Sequence, residues 1–163
     1  PLTTHIEIKD ITRKIKIDLI KTKILTLNKY YTKIFKRKPK IVILGLNPHN
    51  SENRTNSIEN KIIKPAVNRL KKLNINLKGP LPADTVFNNQ KKFDYNVVVG
   101  MYHDQVLAPF KALYGFNAIN ITLGLGYLRL SPDHGTARDI IGLDKANPQS
   151  LISAINFLNK VND

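Results

Sequence analysis

Three of the four histidines in this chain stand at the ends of short apolar runs. The runs cover residues 2–4, 41–48 and 97–99, and the histidines that close them are His5, His49 and His103. Buried strands of a parallel sheet appear in sequence as nearly continuous apolar runs, and ligands of open α/β sheets bind beyond the carboxyl ends of the strands. One such histidine is usually a core or loop residue. Three of them predict a metal site, because neutral imidazole is the commonest protein ligand for zinc and related metals.

The length and composition narrow the class of protein. The chain has 163 residues and 42% hydrophobic residues, which is enough for one globular domain with its own core. Cysteine is absent, so disulfides and thiolate metal sites are excluded and only histidine and carboxylate ligands remain. No apolar stretch approaches the ~20 residues that span a bilayer. Because no signal-peptide pattern is present either, we expect a cytoplasmic protein that does not act at a membrane.

The net charge of +14 is the strongest argument for a polyanionic partner. The lysines are dispersed, however, and they occur together with many isoleucine and asparagine residues rather than with aromatic residues on which bases could stack. The densest basic run, residues 33–40, flanks an apolar run and is most simply a solvated turn. We therefore expect no nucleic-acid partner.

Helical and strand patterns alternate along the chain. Helical spacing of apolar residues predicts a short and then a longer helix within residues 8–36, a helix over 57–73 that Ser57 caps and Pro65 kinks or breaks, and helices over 104–113, 135–141 and 149–161. The face of the last helix is predicted to consist of Leu151, Ile152, Ile155 and Leu158. Strands are predicted over 40–46, 95–101, 118–123 and 128–130, with a rigid connector at 79–85. This alternation predicts a three-layer α/β/α sandwich with a largely parallel sheet.

Five ordered sequence blocks carry a family resemblance. They are GLNPH at 45–49, GPLPADTVF at 79–87, MYHDQ at 101–105, NITLGL at 120–125 and DHGTA at 133–137. Together they resemble the C-terminal half of the 4-hydroxythreonine-4-phosphate dehydrogenase family. The resemblance implies the isocitrate and isopropylmalate dehydrogenase-like fold, with residues 1–163 as a single α/β region and the N-terminal half of the enzyme absent. The fragment alone is then expected to be inactive.

The resemblance also implies which residues form the active site. His5, His49 and His103 would bind one divalent metal, either zinc, magnesium or cobalt. Asp104 would orient His103 or accept a proton, although a cap at the start of the following helix is an equal alternative. Asp84 would lie near the active site, and a helix cap is an equal alternative for it as well.

Substrate and cofactor residues follow from the same resemblance. Lys111, Asn120 and Arg129 match the positions that bind the substrate phosphate, and a point charge, an amide donor and a guanidinium fork suit phosphate oxygens. The segment that contains His134, Gly135, Thr136, Ala137 and Asp139 is similar to the loop that holds NAD or NADP in isopropylmalate dehydrogenases. It is not a glycine-rich dinucleotide fingerprint.

The implied function is a metal-dependent NAD(P) oxidoreductase of pyridoxal phosphate biosynthesis. It would oxidise and decarboxylate 4-phosphohydroxy-L-threonine to 3-amino-2-oxopropyl phosphate, as a homodimer whose active site is near the interface. Two alternatives stay open: a dehydrogenase of a phosphorylated sugar acid such as a threonate or erythronate, and an inactive fragment or binding module. The chain also departs from the family, because the loop 50–57 lacks the usual glycines and Tyr127 and Leu130 replace the residues expected beside Arg129.

Overall fold

A computed structural model describes the backbone of residues 1–162 and the side chains of all of these except 89–91 and 162. The chain divides into two compact units, Pro1–Pro109 and a second unit from Phe110 onward. None of the described helices is long and apolar enough to cross a membrane.

The first unit is built on a three-stranded parallel sheet. Its strands are β1 (Ile41–Leu44), β2 (Leu77–Leu81) and β3 (Val97–Val99), in the order β2-β1-β3. Ile41 is aligned with Leu77 on one side and with Val97 on the other. All four residues of β1 are buried, as its continuous apolar run predicted. An α/β fold with a parallel sheet is therefore confirmed.

Alternate residues of β1 enter two separate hydrophobic clusters. Ile41 and Ile43 pack into a cluster with residues of α1 (Ile8–Lys14), α2 (Ile17–Phe35) and α3 (Lys64–Lys72). Val42 and Leu44 pack with Val86 of α4 (Ala83–Val86) and Val106 of α6 (His103–Tyr114). A short helix, α5 (Gln90–Phe93), precedes β3. The side-chain period of two along a strand thus places both faces of β1 against apolar residues.

The predicted helix over 57–73 begins in an unusual way. The Ser57 Oγ atom accepts a hydrogen bond from the Asn60 amide at 3.2 Å, which confirms the predicted cap. The first part, Glu59–Ile63, is a π-helix, and α3 follows directly from Lys64. Pro65 lies in the first turn of α3, where its missing N–H is tolerated. The structure therefore changes helix type just before Pro65.

The rigid connector predicted for residues 79–85 is wrong at its start, because residues 79–81 belong to strand β2. β2 lies at an edge of the sheet, where a proline is tolerated in a strand. Gly79 approaches β1 so closely that a Cβ atom there would lie 2.3 Å from the Ile43 carbonyl oxygen. Gly79 and Pro80, predicted to start the connector, thus belong to the strand that pairs with β1.

The second unit contains an antiparallel hairpin. Strands β4 (Ile119–Thr122) and β5 (Arg129–Pro132) pair with each other in a separate two-stranded sheet. Both strands were predicted, but as parts of a largely parallel sheet. The connection over residues 123–128 is too short for a parallel crossover, which needs a dozen or more residues.

Two further predictions in this unit require correction. The helix predicted over 135–141 is only a 3-10 turn, Arg138–Ile140, because Ala137 has a left-handed φ of 45° and Ile141 is 73% exposed rather than packed. The closing helix α7 (Gln149–Asn162) was predicted correctly, but its buried residues are Ser150 and Ala154. The predicted face is turned outward at Leu151, Ile152 and Ile155.

The reason for the rotation of α7 is the hydroxyl group of Ser150. Its Oγ atom donates a hydrogen bond to the Ala118 carbonyl at 2.5 Å and accepts one from the Asp133 amide at 2.8 Å. A buried backbone group needs a hydrogen-bond partner. Ser150 supplies it at the open end of the hairpin, where β4 begins and β5 ends, so the small residues of α7 face the strands.

Candidate active site

The carboxyl ends of β1 and β3 are joined by the side chain of Gln105. Its Oε1 atom accepts a hydrogen bond from the Met101 amide, and its Nε2 atom donates one to the Gly45 carbonyl, both at 2.7 Å. Neighbouring parallel strands end at the same edge of a sheet, where ligands of such folds bind. The histidine that follows each strand, His49 and His103, is therefore presented from this edge.

The N-terminal segment runs beside the residues that follow β3. The Leu2 amide donates to the Gly100 carbonyl at 2.8 Å, and the Thr3 amide and hydroxyl both donate to the Met101 carbonyl, at 3.2 and 2.8 Å. This pairing brings the rings of His5 and His103 within 5.9 Å of each other, measured between centroids. Both histidines line a small cavity of 80 Å³.

Asp104 is the hydrogen-bonding partner of His103. The distance between His103 Nδ1 and Asp104 Oδ1 is 2.6 Å, and the side chain of Asp104 is 82% exposed. Helix α6 begins at His103, so Asp104 lies within its first turn rather than before it. The carboxylate holds one ring nitrogen of His103, which leaves the other, Nε2, as the nitrogen that can bind a metal.

His49 has a different carboxylate partner. Its Nε2 atom lies 3.8 Å from Asp84 Oδ2, and both side chains are largely exposed. His49 also begins a run of five residues, 49–53, whose φ angles are all left-handed, between 48° and 59°. Within residues 1–162, no three His, Asp or Glu side chains converge closely enough to hold a metal ion. The structure thus brings His5 and His103 together and places His49 beside Asp84.

The spacing of the His5 and His103 rings is close to that of two imidazoles bound to one metal ion. Two imidazoles that bind one zinc ion at ~2.0–2.1 Å have ring centroids roughly 5 Å apart, close to the 5.9 Å between His5 and His103. Both are neutral nitrogen donors of the kind that zinc and cobalt accept. His49 is a donor of the same kind, but it lies beside Asp84 and does not converge with the pair within the described residues. The rings of His5 and His103 therefore have the spacing and the donor chemistry of two ligands of a divalent metal.

Glu59 is a polar residue of this region that sequence reasoning missed. Its side chain is fully buried, and it accepts hydrogen bonds from the loop on both sides of His49. Burial raises the pKa of the Glu59 carboxyl, but hydrogen bonds from Asn47 and Ser51 outweigh that effect and leave the pKa below its ordinary value. A signal was available, because Glu59 interrupts the helical pattern of Ile58, Ile62 and Ile63.

The three predicted phosphate residues all lie in the second unit. Arg129 and Thr122 are paired across the hairpin, and the guanidinium Nη1 of Arg129 donates to Thr122 Oγ1 at 2.9 Å. Asn120 is two residues from Thr122 on the same strand, so Asn120 and Arg129 share one face of the hairpin. Lys111 near the end of α6 donates to the Asp133 carbonyl at 3.3 Å, and its Nζ atom lies 3.5 Å from Asp133 Oδ2. All three side chains belong to exposed residues.

The predicted cofactor segment borders an open pocket of 890 Å³ in the second unit. Four of the five predicted residues line the pocket: His134, Gly135, Thr136 and Ala137. Asp139 is not part of the described lining and lies on the 3-10 turn. A Cβ atom added to Gly135 would meet no other atom within 4 Å, so the space beside this backbone is open to a ligand.

The chain is similar in sequence to two curated dehydrogenases. A 4-hydroxythreonine-4-phosphate dehydrogenase of Xanthobacter autotrophicus is 43% identical and covers 100% of this chain, and one of Sulfurihydrogenibium is 47% identical and covers 96%. These matches take up 47% and 48% of the two relatives, so the chain spans about half the length of the relatives it matches.

Two solved structures of dehydrogenases are also similar to this chain. The crystal structure of a 4-hydroxythreonine-4-phosphate dehydrogenase from Klebsiella pneumoniae is similar over 99% of this chain and 50% of its own, with a TM-score of 0.85 and 34% identity. A terephthalate 1,2-cis-dihydrodiol dehydrogenase from Burkholderia xenovorans is similar over 95% of this chain and 50% of its own, with a TM-score of 0.73 and 26% identity. The family model described as pyridoxal phosphate biosynthetic protein PdxA matches residues 1–158, and the chain therefore belongs to the PdxA family.

Proposed function

We propose that residues 1–163 form the C-terminal half of a metal-dependent NAD(P) oxidoreductase that acts on 4-phosphohydroxy-L-threonine. The reaction oxidises the substrate hydroxyl to a ketone and then releases CO2, which leaves 3-amino-2-oxopropyl phosphate. The observation that carries the proposal is the pair of rings of His5 and His103, 5.9 Å apart at the ligand-binding edge of the parallel sheet. We also propose the three-layer, isocitrate dehydrogenase-like arrangement for the complete enzyme.

The metal is held by imidazole nitrogens in this proposal. His5, His49 and His103 would be its ligands, and a divalent ion held there would supply a Lewis acid at the substrate hydroxyl. Asp104 fixes the ring of His103 through the 2.6 Å contact with Nδ1. Asp84 lies near His49, with Oδ2 3.8 Å from Nε2, a separation longer than that of a hydrogen bond.

The remaining residues bind the substrate phosphate and the nicotinamide cofactor in this proposal. The shared face of Asn120 and Arg129 supports a phosphate site, in which the guanidinium binds two phosphate oxygens and Lys111 adds a positive charge. The pocket beside Gly135 supports a nicotinamide cofactor site, and a nicotinamide held there would supply the hydride acceptor. The proton of the hydroxyl passes to a carboxylate, for which Asp104 and Asp84 are the candidates.

We further propose a cytoplasmic homodimer whose active site lies near the subunit interface. Exposed apolar side chains in the second unit, which include Ile141, Leu151 and Ile155, support an interface there. A dehydrogenase of a phosphorylated sugar acid is the second candidate, because the same phosphate residues would serve it. Identities of 43% and 47% to relatives named for hydroxythreonine phosphate favour the first candidate.

The test is a substrate comparison with the complete enzyme, in which an N-terminal half is supplied. We expect 4-phosphohydroxy-L-threonine to yield reduced nicotinamide and CO2 in equal amounts, and removal of divalent metal by a chelator to abolish both. Turnover of 4-phosphoerythronate with none of the amino acid would replace the first candidate by the second. Turnover that persists after complete metal removal would exclude the metal site.

A further inference from the structure

We propose that Glu59 is a positioning residue for His49, one of the three proposed metal ligands. The buried carboxylate of Glu59 holds the loop that presents His49. This inference rests on the proposed function only in giving His49 a metal to bind. The loop geometry on which it depends is independent of that function.

The hydrogen bonds of Glu59 lie on both sides of His49. Its Oε1 atom accepts from the backbone amides of Leu46 and Asn47, at 3.0 and 2.8 Å, and from Asn47 Nδ2 at 3.1 Å. Its Oε2 atom accepts from Ser51 Oγ at 3.0 Å and from Asn47 Nδ2 at 3.4 Å. One carboxylate therefore ties the residues before His49 to a residue after it.

Every group around this carboxylate is a donor. A carboxylate accepts at both oxygens, whereas a glutamine amide would direct its own N–H groups at donors on one side. No described lysine or arginine forms an ion pair with Glu59, so hydrogen bonds from the loop carry the whole compensation of its buried charge. The side chain is at 0% exposure, and water does not replace those donors.

The loop needs such a restraint because its backbone is strained. His49 and the four residues after it have left-handed φ angles, which are unfavourable for side chains other than glycine. Strained backbone persists only where its surroundings hold it. Glu59, which lies in the π-helix, holds the first part of the run, and Asn50 Nδ2 donates to the Pro80 carbonyl at 3.1 Å. The end of the run is held separately by Asn60, whose Nδ2 atom donates to the Asn53 carbonyl at 2.7 Å. π-helical turns are frequent at functional sites, which agrees with this role.

The experiment compares Glu59→Gln with the unaltered chain by two measurements. The first is hydrogen exchange at the Leu46 and Asn47 amides, which donate to Glu59. The second is the affinity for zinc, measured by calorimetry against a competing chelator. Ile20→Ala is the matched control, since it removes a fully buried side chain of the same unit outside the loop. We expect Glu59→Gln to lose protection at both amides and to bind zinc about 10- to 100-fold more weakly, while Ile20→Ala keeps the zinc affinity.

The outcomes separate this proposal from the proposed function. Unchanged protection and unchanged zinc affinity in Glu59→Gln would overturn the positioning role and leave the metal site intact. If the unaltered chain binds no zinc, the proposed metal site fails, and the exchange data alone decide whether Glu59 holds the loop. Equal weakening of zinc binding by Ile20→Ala would assign the effect to general destabilisation and overturn the proposal.

Discussion

Arg129 lies on an exposed hairpin face, where its guanidinium is held by Thr122 at 2.9 Å. If this face binds the substrate phosphate, Arg129→Ala in the complete enzyme removes a charge-assisted pair worth about 1.5–3 kcal/mol. We expect the KM for the phosphorylated substrate to rise roughly 10- to 100-fold, with a much smaller change for an unphosphorylated analogue. Arg129→Lys should recover only part of the loss, because a lysine cannot bind two oxygens at once.

The control for Arg129 is Arg37→Ala, which removes an exposed arginine outside the second unit. Steady-state kinetics with both substrates measures the effect. An equal rise in KM for the phosphorylated and unphosphorylated compounds would show that Arg129 stabilises the hairpin rather than binding phosphate.

Asp104 offers a second test with a single residue. Asp104→Asn keeps the size of the side chain but removes the charge that faces His103 Nδ1 at 2.6 Å. Partners that orient a metal-binding histidine contribute about 10- to 100-fold to metal affinity. We expect a loss of zinc affinity in that range by calorimetry. Asp18→Asn, an exposed acidic residue at the start of α2, should leave the affinity unchanged, and an equal loss in both variants would contradict the assignment.

Single residues were predictable where local sequence decides their place. His5 and His103 each follow a segment whose backbone pairs with that of the other, through Leu2 with Gly100 and Thr3 with Met101. This pairing brings the two rings together. The contact of His49 with Asp84 depends on a left-handed loop that no local pattern indicates, because its residues are not glycines. Glu59 had a local signal, its place in an apolar helical pattern, but its hydrogen-bond partners are defined only by the folded loop.

Among the elements, β2 is where we expect a single substitution to lower the free energy of unfolding most clearly. Gly79 has a φ of 129°, and a Cβ atom there would lie 2.3 Å from the Ile43 carbonyl oxygen and 2.8 Å from its Cγ2 atom. Gly79→Ala therefore combines backbone strain with overlap against β1. We expect it to lower the free energy of unfolding by more than about 2 kcal/mol in denaturant titrations. Gly126→Ala, where nothing lies within 4 Å, should change it by less than about 0.5 kcal/mol.

The stability of the loop that Glu59 holds is expected to depend on pH. Hydrogen bonds lower the pKa of Glu59 below its ordinary value of 4.5, against the opposing effect of burial. A carboxyl whose pKa is lower in the folded state stabilises the fold above its unfolded pKa, and this contribution is lost as the pH falls through the folded pKa. We expect protection of the Leu46 and Asn47 amides to decrease below pH 4.5. In Glu59→Gln that acid dependence should disappear, and its persistence would assign the transition to another group.

Elements were predictable where apolar periodicity and burial agree. The two helices within residues 8–36 and the strands β1 and β3 lie where the pattern placed them. The pattern failed at β2, where Gly79 and Pro80 were predicted to start a rigid connector but belong to a strand at the edge of the sheet. It failed again over 135–141, because apolar spacing without a surface to pack against leaves only a short turn.

At the scale of the whole molecule, burial is distributed unevenly between the two units. Most of the buried apolar side chains lie in the first unit, whereas the described part of the second buries Ala118, Ser150 and Ala154. The sequence predicted the α/β class because strand and helix patterns alternate throughout. It did not predict the division, although the strands of the hairpin, INIT and RLSP, are more polar than β1 and β3, and their connection is too short for a parallel crossover.

The exposed face of α7 leads to the last prediction. Leu151, Ile152 and Ile155 are 50%, 44% and 49% exposed, and they lie on one side of the helix at a spacing of three to four residues. Apolar side chains clustered in this way favour association over exposure to water. If this face takes part in the proposed homodimer, the unaltered chain should sediment as a dimer at micromolar concentration.

Charge placed on that face should dissociate the dimer. We expect Ile152→Lys combined with Ile155→Lys to shift the sedimentation profile to a monomer, because two buried ammonium groups cost far more than the interface gains. Asn156→Lys and Asn159→Lys alter exposed polar residues of the same helix and serve as the control pair. Far-ultraviolet circular dichroism has to remain unchanged, so that dissociation is not confused with unfolding. A monomer in the unaltered chain, or a dimer that survives both lysines on the apolar face, would place the subunit interface elsewhere.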